Sequence, residues 1–185
     1  MSDALEVDAL MGLVAQLADG AGHPIGHGLY LRIVFVEQRR DAAGKITFAD
    51  IAPQCGLANS AFGMSITAGD FNRDGHLDIF KTHFADDTPI LYRNSEKGLF
   101  EDVTLAAGFG AATKYISWGA GMPDVDNDGW PDVFWVTGNV YPEVEKHFKQ
   151  YPHRSPRQLF RNIQDERGNR RFEDVSALGG AGLTT

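Results

Sequence analysis

The segment Asp70-Phe-Asn-Arg-Asp-Gly-His-Leu-Asp-Ile-Phe80 recurs 54 residues later as Asp124-Val-Asp-Asn-Asp-Gly-Trp-Pro-Asp-Val-Phe134. A fixed period of this size marks a repeat architecture, in which like units stack and bury one another's faces. Each copy passes from an Asp/Asn/Gly turn straight into a β-branched and aromatic run, so a strand follows each polar loop. Two further elements accompany it. Leu91-Tyr-Arg-Asn94 recurs as Leu159-Phe-Arg-Asn162, and Phe48-Ala-Asp-Ile51 recurs as Phe100-Glu-Asp-Val103 and Phe172-Glu-Asp-Val175. Copies of the latter lead to Gly56-Leu57, Gly108-Phe109 and Gly182-Leu183. The elements follow a constant order: Phe-x-Asp strand, glycine loop, aromatic-Gly strand, acidic loop, apolar strand, then Leu-aromatic-Arg-Asn. Four short strands in a unit of roughly 50–70 residues is the pattern of a propeller blade or a similar β array.

The acidic loops carry the chemistry. Oxygen side chains stand at positions 1, 3, 5 and 9, as Asp70, Asn72, Asp74 and Asp78, and as Asp124, Asp126, Asp128 and Asp132. Gly75 and Gly129 hold position 6, where a sharp turn is needed. A hard cation such as Ca²⁺ takes six to eight oxygens at about 2.3–2.6 Å, and alternating residues of a tight loop converge on one. The residue after the glycine offers its carbonyl, which assigns the backbone oxygens of His76 and Trp130. An EF-hand is excluded, because its bidentate Glu would fall at Lys81 and Trp135, inside strand material. Asp, Asn and Gly also mark plain turns. Carboxylates packed this closely repel one another without a cation, so two Ca²⁺ sites are expected.

These residues resemble the FG-GAP/VCBS repeat family, the calcium-loop blades of integrin-α-type β-propellers. Phe62-Gly63, Gly69-Asp70, Gly75 and Asp78 carry the signature in the first copy. In the second, Trp118-Gly119 stands for Phe-Gly two residues nearer the loop, and Pro123 replaces glycine. The Leu-aromatic-Arg-Asn and Phe-x-Asp-Val-[ST] elements further resemble bacterial relatives of cartilage acidic protein, the ASPIC/UnbV group. The resemblance covers about residues 46–185. It implies an all-β, partial β-propeller of about two to two and a half four-stranded blades. It also implies a piece of a larger surface or secreted protein, non-catalytic, serving adhesion or ligand binding. The alternative is part of the scaffold of a calcium-dependent carbohydrate-active enzyme such as a polysaccharide lyase.

The expected domains are 1–28, a helix and linker outside the resemblance, and 29–185, an incomplete propeller with an insertion at 139–156. Residues 3–18 read as a short amphipathic helix, with Leu5, Ala9, Leu13 and Leu17 recurring every four residues. His23 and His27 sit in a glycine-rich linker, and Cys55 reads as a small buried residue. The acidic start of the chain lacks the positive region of a secretory signal, so the extracellular or surface location rests on the resemblance. No apolar run suggests a membrane span.

A formal charge of −8 argues against a nucleic-acid partner, whose affinity would rest on excess positive charge. No nucleophile elbow, zincin motif or P-loop is present, and no enzyme is expected. The proline-broken insertion brings Tyr141, His147, Tyr151, His153 and Arg154 onto one loop. A long loop on a rigid scaffold is where binding is usually placed, so these five are candidate contacts for a protein or carbohydrate ligand. So few blades cannot close a ring, and further blades or self-association are expected.

Overall fold

The computed structural model describes residues 8–15, 31–41, 43–59, 61–95 and 98–183. The chain divides into two compact units, Met1–Ala61 and Phe62–Thr185. Both are built of antiparallel strands, because the apolar runs are short, rich in β-branched and aromatic residues, and separated by turn residues. Among the described residues, helix is confined to one turn at Val144–His147 (α1) and two 3₁₀ turns, Ser176–Leu178 and Gly180–Gly182.

The first unit holds a three-stranded sheet of β1 (Asp8–Ala15), β2 (Leu31–Arg40) and β3 (Ile46–Asp50), in that order. This corrects the helix expected over residues 3–18: Asp8–Ala15 is a strand paired along its whole length with β2. An apolar run this short fits either period, and Gly12 and Val14 weaken a helix. A β-rich partner, Leu31–Arg40, then decides between them. The remaining positions of that expected helix, together with His23 and His27, lie outside the described residues.

The second unit holds two four-stranded sheets, each a meander in chain order. One comprises β4 (Gly63–Gly69), β5 (Asp78–His83), β6 (Ile90–Asn94) and β7 (Phe100–Asp102). The other comprises β8 (Ser117–Gly121), β9 (Val133–Thr137), β10 (Gln158–Gln164) and β11 (Arg170–Asp174). The Phe-x-Asp strand therefore closes the preceding sheet instead of opening the next. Phe48 pairs with Gln38, Phe100 with Asn94 and Phe172 with Asn162.

The registers of the two four-stranded sheets correspond residue by residue. Ile79 faces Tyr92 as Val133 faces Phe160, and Phe80 faces Leu91 as Phe134 faces Leu159. Thr67 faces Phe80 as Gly121 faces Phe134, and both β4 and β8 carry a register irregularity near their start. The Phe84 N–H donates to the Phe62 carbonyl and the Gly138 N–H to that of Ile116. Ile116-Ser117 therefore holds the place of Phe62-Gly63 at the same 54-residue offset as the loops. This corrects the expected place of Trp118-Gly119, which lies two residues further along β8, and the run before the second loop is not shortened.

The two sheets pack face to face through an aromatic core. Phe109, from the turn after β7, lies 4.9–5.1 Å between ring centroids from Phe80, Phe160 and Phe172, and 6.2 Å from Trp135. Trp135 stacks on Phe160 at 5.0 Å. Burying several aromatic rings in one cluster contributes more than area alone, at about 0.5–1.5 kcal/mol per pair. Gly108 allows this turn to close, with φ at +98° and room for no side chain against the Phe172 carbonyl. In the first unit, Ala52, Cys55 and Leu57 are buried in the corresponding turn after β3.

Candidate metal site

Both acidic loops are wound by their own side chains, as short polar residues wind turns. In the second loop, Asp124 accepts the N–H groups of Asp128 (3.1 Å) and Gly129 (2.9 Å), one on each oxygen. Asp126 accepts from Asp128 N–H at 3.2 Å, and Asp128 from Trp130 N–H at 2.9 Å. The first loop repeats each bond: Asp70 accepts from Asp74 and Gly75, Asn72 from Asp74, and Asp74 from His76. Arg73 and Asn127 take left-handed φ values of 57° and 58°, and Gly75 and Gly129 follow at 89° and 87°.

The carboxylates of Asp124, Asp126 and Asp128 lie on one exposed surface with ligand oxygens within 4.8 Å of one another. Three such groups could hold a metal ion. They are hard oxygen donors, the type that Ca²⁺ takes. In the first loop Asn72 takes the middle place, and its amide N–H donates to Asp74 Oδ2 at 2.7 Å. In the second, Arg161 on β10 reaches across to Asp126 Oδ2 at 2.6 Å and lies 3.9 Å from Asp128 Oδ2.

The position-9 acids sit beneath the loops. Asp78 accepts from the backbone N–H of Phe71 (3.0 Å) and Asn94 (2.8 Å). Asp132 accepts from Val125 (3.0 Å) and Asn162 (2.8 Å). Each thus ties its loop to the neighbouring strand of its own sheet, with two of a carboxylate's roughly four lone-pair sites still open. Burial pushes the Asp78 carboxyl up to about 6, against the lowering effect of its two N–H donors, and nearby Asp74 and Asp70 raise it further. Asp132 is raised for the same leading cause, burial, with Asp126 and Asp128 adding to it. A cation above either loop would relieve that strain on the charged form.

Asn94 and Asn162 were legible only as repeat markers. Besides their backbone bonds, Asn162 donates from its amide to the carbonyls of Phe71 (2.8 Å) and Pro131 (2.9 Å), and Asn94 to that of Leu77 (3.1 Å). Asn162 thereby joins the two loops. Its recurrence at one place after each loop was the available signal.

The insertion distributes its five candidates differently. The Tyr151 hydroxyl donates to Asp86, and His153 donates from Nδ1 to the Asn139 carbonyl. Arg154 forms a β-bridge with Gly138. Tyr141 and His147 are exposed, the latter on α1. Two of the five polar groups are thus spent on holding the loop to its scaffold. A comparison with protein-family models and with curated proteins returns no match to this chain.

Proposed function

We propose that this chain is a calcium-binding β-propeller repeat segment, non-catalytic, that presents a ligand-binding surface outside the cell. One observation carries the calcium reading: two loops, separated in sequence, repeat the same hydrogen-bonded winding, and in the second the carboxylates of Asp124, Asp126 and Asp128 converge on one exposed surface. Such loops hold Ca²⁺ through Asp124, Asp126, Asp128, the Trp130 carbonyl and Asp132, and through Asp70, Asn72, Asp74, the His76 carbonyl and Asp78. Calcium there supplies charge neutralisation and rigidity; it has no reaction to perform. The meander order of each four-stranded sheet supports blades, with the three-stranded sheet as a blade lacking one strand.

Calorimetry on the whole chain tests this. Two calcium sites are expected, with dissociation constants in the roughly 10⁻⁴–10⁻³ M range of extracellular modules. Asp74→Ala and Asp128→Ala should each remove one. Heat with Zn²⁺ and none with Ca²⁺ would overturn the reading.

A further inference from the structure

A cleft of about 760 Å³ opens between the two four-stranded sheets. Its floor is apolar, from Phe71, Val103, Ala106 and Ala107, and its rim is cationic. Arg93 of β6 stands on one side, and Arg167 and Arg170 of the β10–β11 hairpin on the other. Arg93 is committed to Glu101 at 2.5 Å. Neither Arg167 nor Arg170 has a carboxylate within ion-pair distance among the described residues. Asp165, the cleft's one acid, is occupied by the turn itself, accepting from the N–H groups of Arg167 and Asn169. The Arg170 guanidinium lies 3.2 Å from the centre of the Trp130 ring, which Arg73 also approaches at 5.1 Å. This cation–π contact seats the guanidinium at the cleft's edge, where its N–H donors match a planar oxyanion.

On a chain of net charge −8, an apolar-floored cleft rimmed by three guanidiniums, of which only Arg93 is ion-paired, is a local reversal of sign. We propose that it binds an acidic oligosaccharide, with a sugar carboxylate met by Arg167 and Arg170. The cleft falls in the roughly 300–1,000 Å³ range of ligand pockets, several times the size of a free oxyanion. The apolar floor suits the C–H face of a sugar ring. Two unpaired guanidiniums are too few for a nucleic acid, whose affinity rests on many phosphate contacts. The inference rests on the ligand-binding part of the proposed function and not on calcium.

Calorimetry at constant ionic strength tests it on the whole chain, in calcium and again in EDTA. The probes are a trigalacturonate, a neutral trisaccharide, inorganic sulfate and an acidic peptide. Trigalacturonate should bind, and the neutral sugar should not. Arg167→Gln, at an exposed turn position, should weaken binding about tenfold, as should Arg170→Gln, while Lys45→Gln should leave it unchanged. Unaltered thermal transitions in the arginine variants would exclude misfolding. Equal trigalacturonate affinity in both arginine variants, equal binding of the neutral sugar, sulfate binding as tight as trigalacturonate, or peptide binding in its place would each overturn the proposal. Binding that persists in EDTA with no calcium heat would leave the cleft standing and remove the calcium reading. Calcium heat without trigalacturonate binding would do the reverse.

Discussion

Arg161 and Arg93 occupy one position in two matched ladders, opposite Glu173 and Glu101. Their guanidiniums nevertheless go to different acids: Arg93 takes Glu101, and Arg161 takes Asp126 of the loop. The difference follows from position 3, where Asn72 is neutral and donates within its own loop, while Asp126 adds a carboxylate. Four carboxylates and Pro131 would make the second loop the tighter calcium site, yet a tethered cation competes for the same oxygens. An exposed pair of this kind contributes up to about 1 kcal/mol at low salt. Arg161→Gln should therefore tighten the second loop about three- to fivefold by calorimetry, and Arg93→Gln should leave the first unchanged. An unchanged second site would show that Arg161 swings away to Glu173 at no cost.

His83, at the end of β5, is a second residue with a measurable sign. It is fully buried, and its Nδ1 lies 3.3 Å from Asp87 Oδ2 without the alignment of a hydrogen bond. Burial, and then the neighbouring Lys81 charge, lower its pKa from 6.5 to about 4, with Asp87 opposing. Between those values the unfolded chain binds the proton and the native one does not, so this residue's contribution to stability is lost as pH falls from 6.5 towards 4. At about 1.4 kcal/mol per unit the loss is roughly 2–3 kcal/mol. Metal-free Asp78, raised to about 6, works in the opposite direction over the same range. The measurement is therefore the difference in urea stability between parent and His83→Gln: the gap should change by that amount between pH 7 and pH 4.

At the scale of elements, the turn after β7 is the critical joint between the two sheets. An alanine at Gly108 would hold φ at +98° and place its Cβ 2.6 Å from the Phe172 carbonyl, whose own N–H bonds to Ala107. Gly75 also has positive φ, but open space surrounds its Cβ position. Gly75→Ala should cost about 1 kcal/mol and Gly108→Ala roughly 2–4, read from denaturant midpoints. Both glycines could be read from the sequence, as could the loops and β5, because turn chemistry and apolar content are local. The helix over residues 3–18 could not be judged that way, since its outcome depended on a partner strand. The Trp118-Gly119 match failed for a related reason. A two-residue motif fits wherever an aromatic meets glycine, while the register is fixed by hydrogen bonds to β9. Arg161 was visible as a repeat marker, but its loop contact depends on what stands across from it.

At the scale of the molecule, both acidic loops belong to Phe62–Thr185 and neither to Met1–Ala61. Calcium should therefore slow amide hydrogen exchange throughout β5, β6, β9 and β10, whose ends the loops tie together, and leave β2 and β3 unaffected. Equal slowing in β2 and β3 would show that the ion acts outside the loops. The two four-stranded sheets share their registers but not their faces. Where β9 turns Trp135 into the aromatic core, β5 carries Lys81 at the matched position, buried and lowered to about 8 by that burial. Had the pair arisen by duplication, it has since diverged past exchange. A chain in which the first sheet were copied into the second's place would set an amine against Phe80 and Phe109. The two sheets are therefore not interchangeable, and their order in the chain carries packing information of its own.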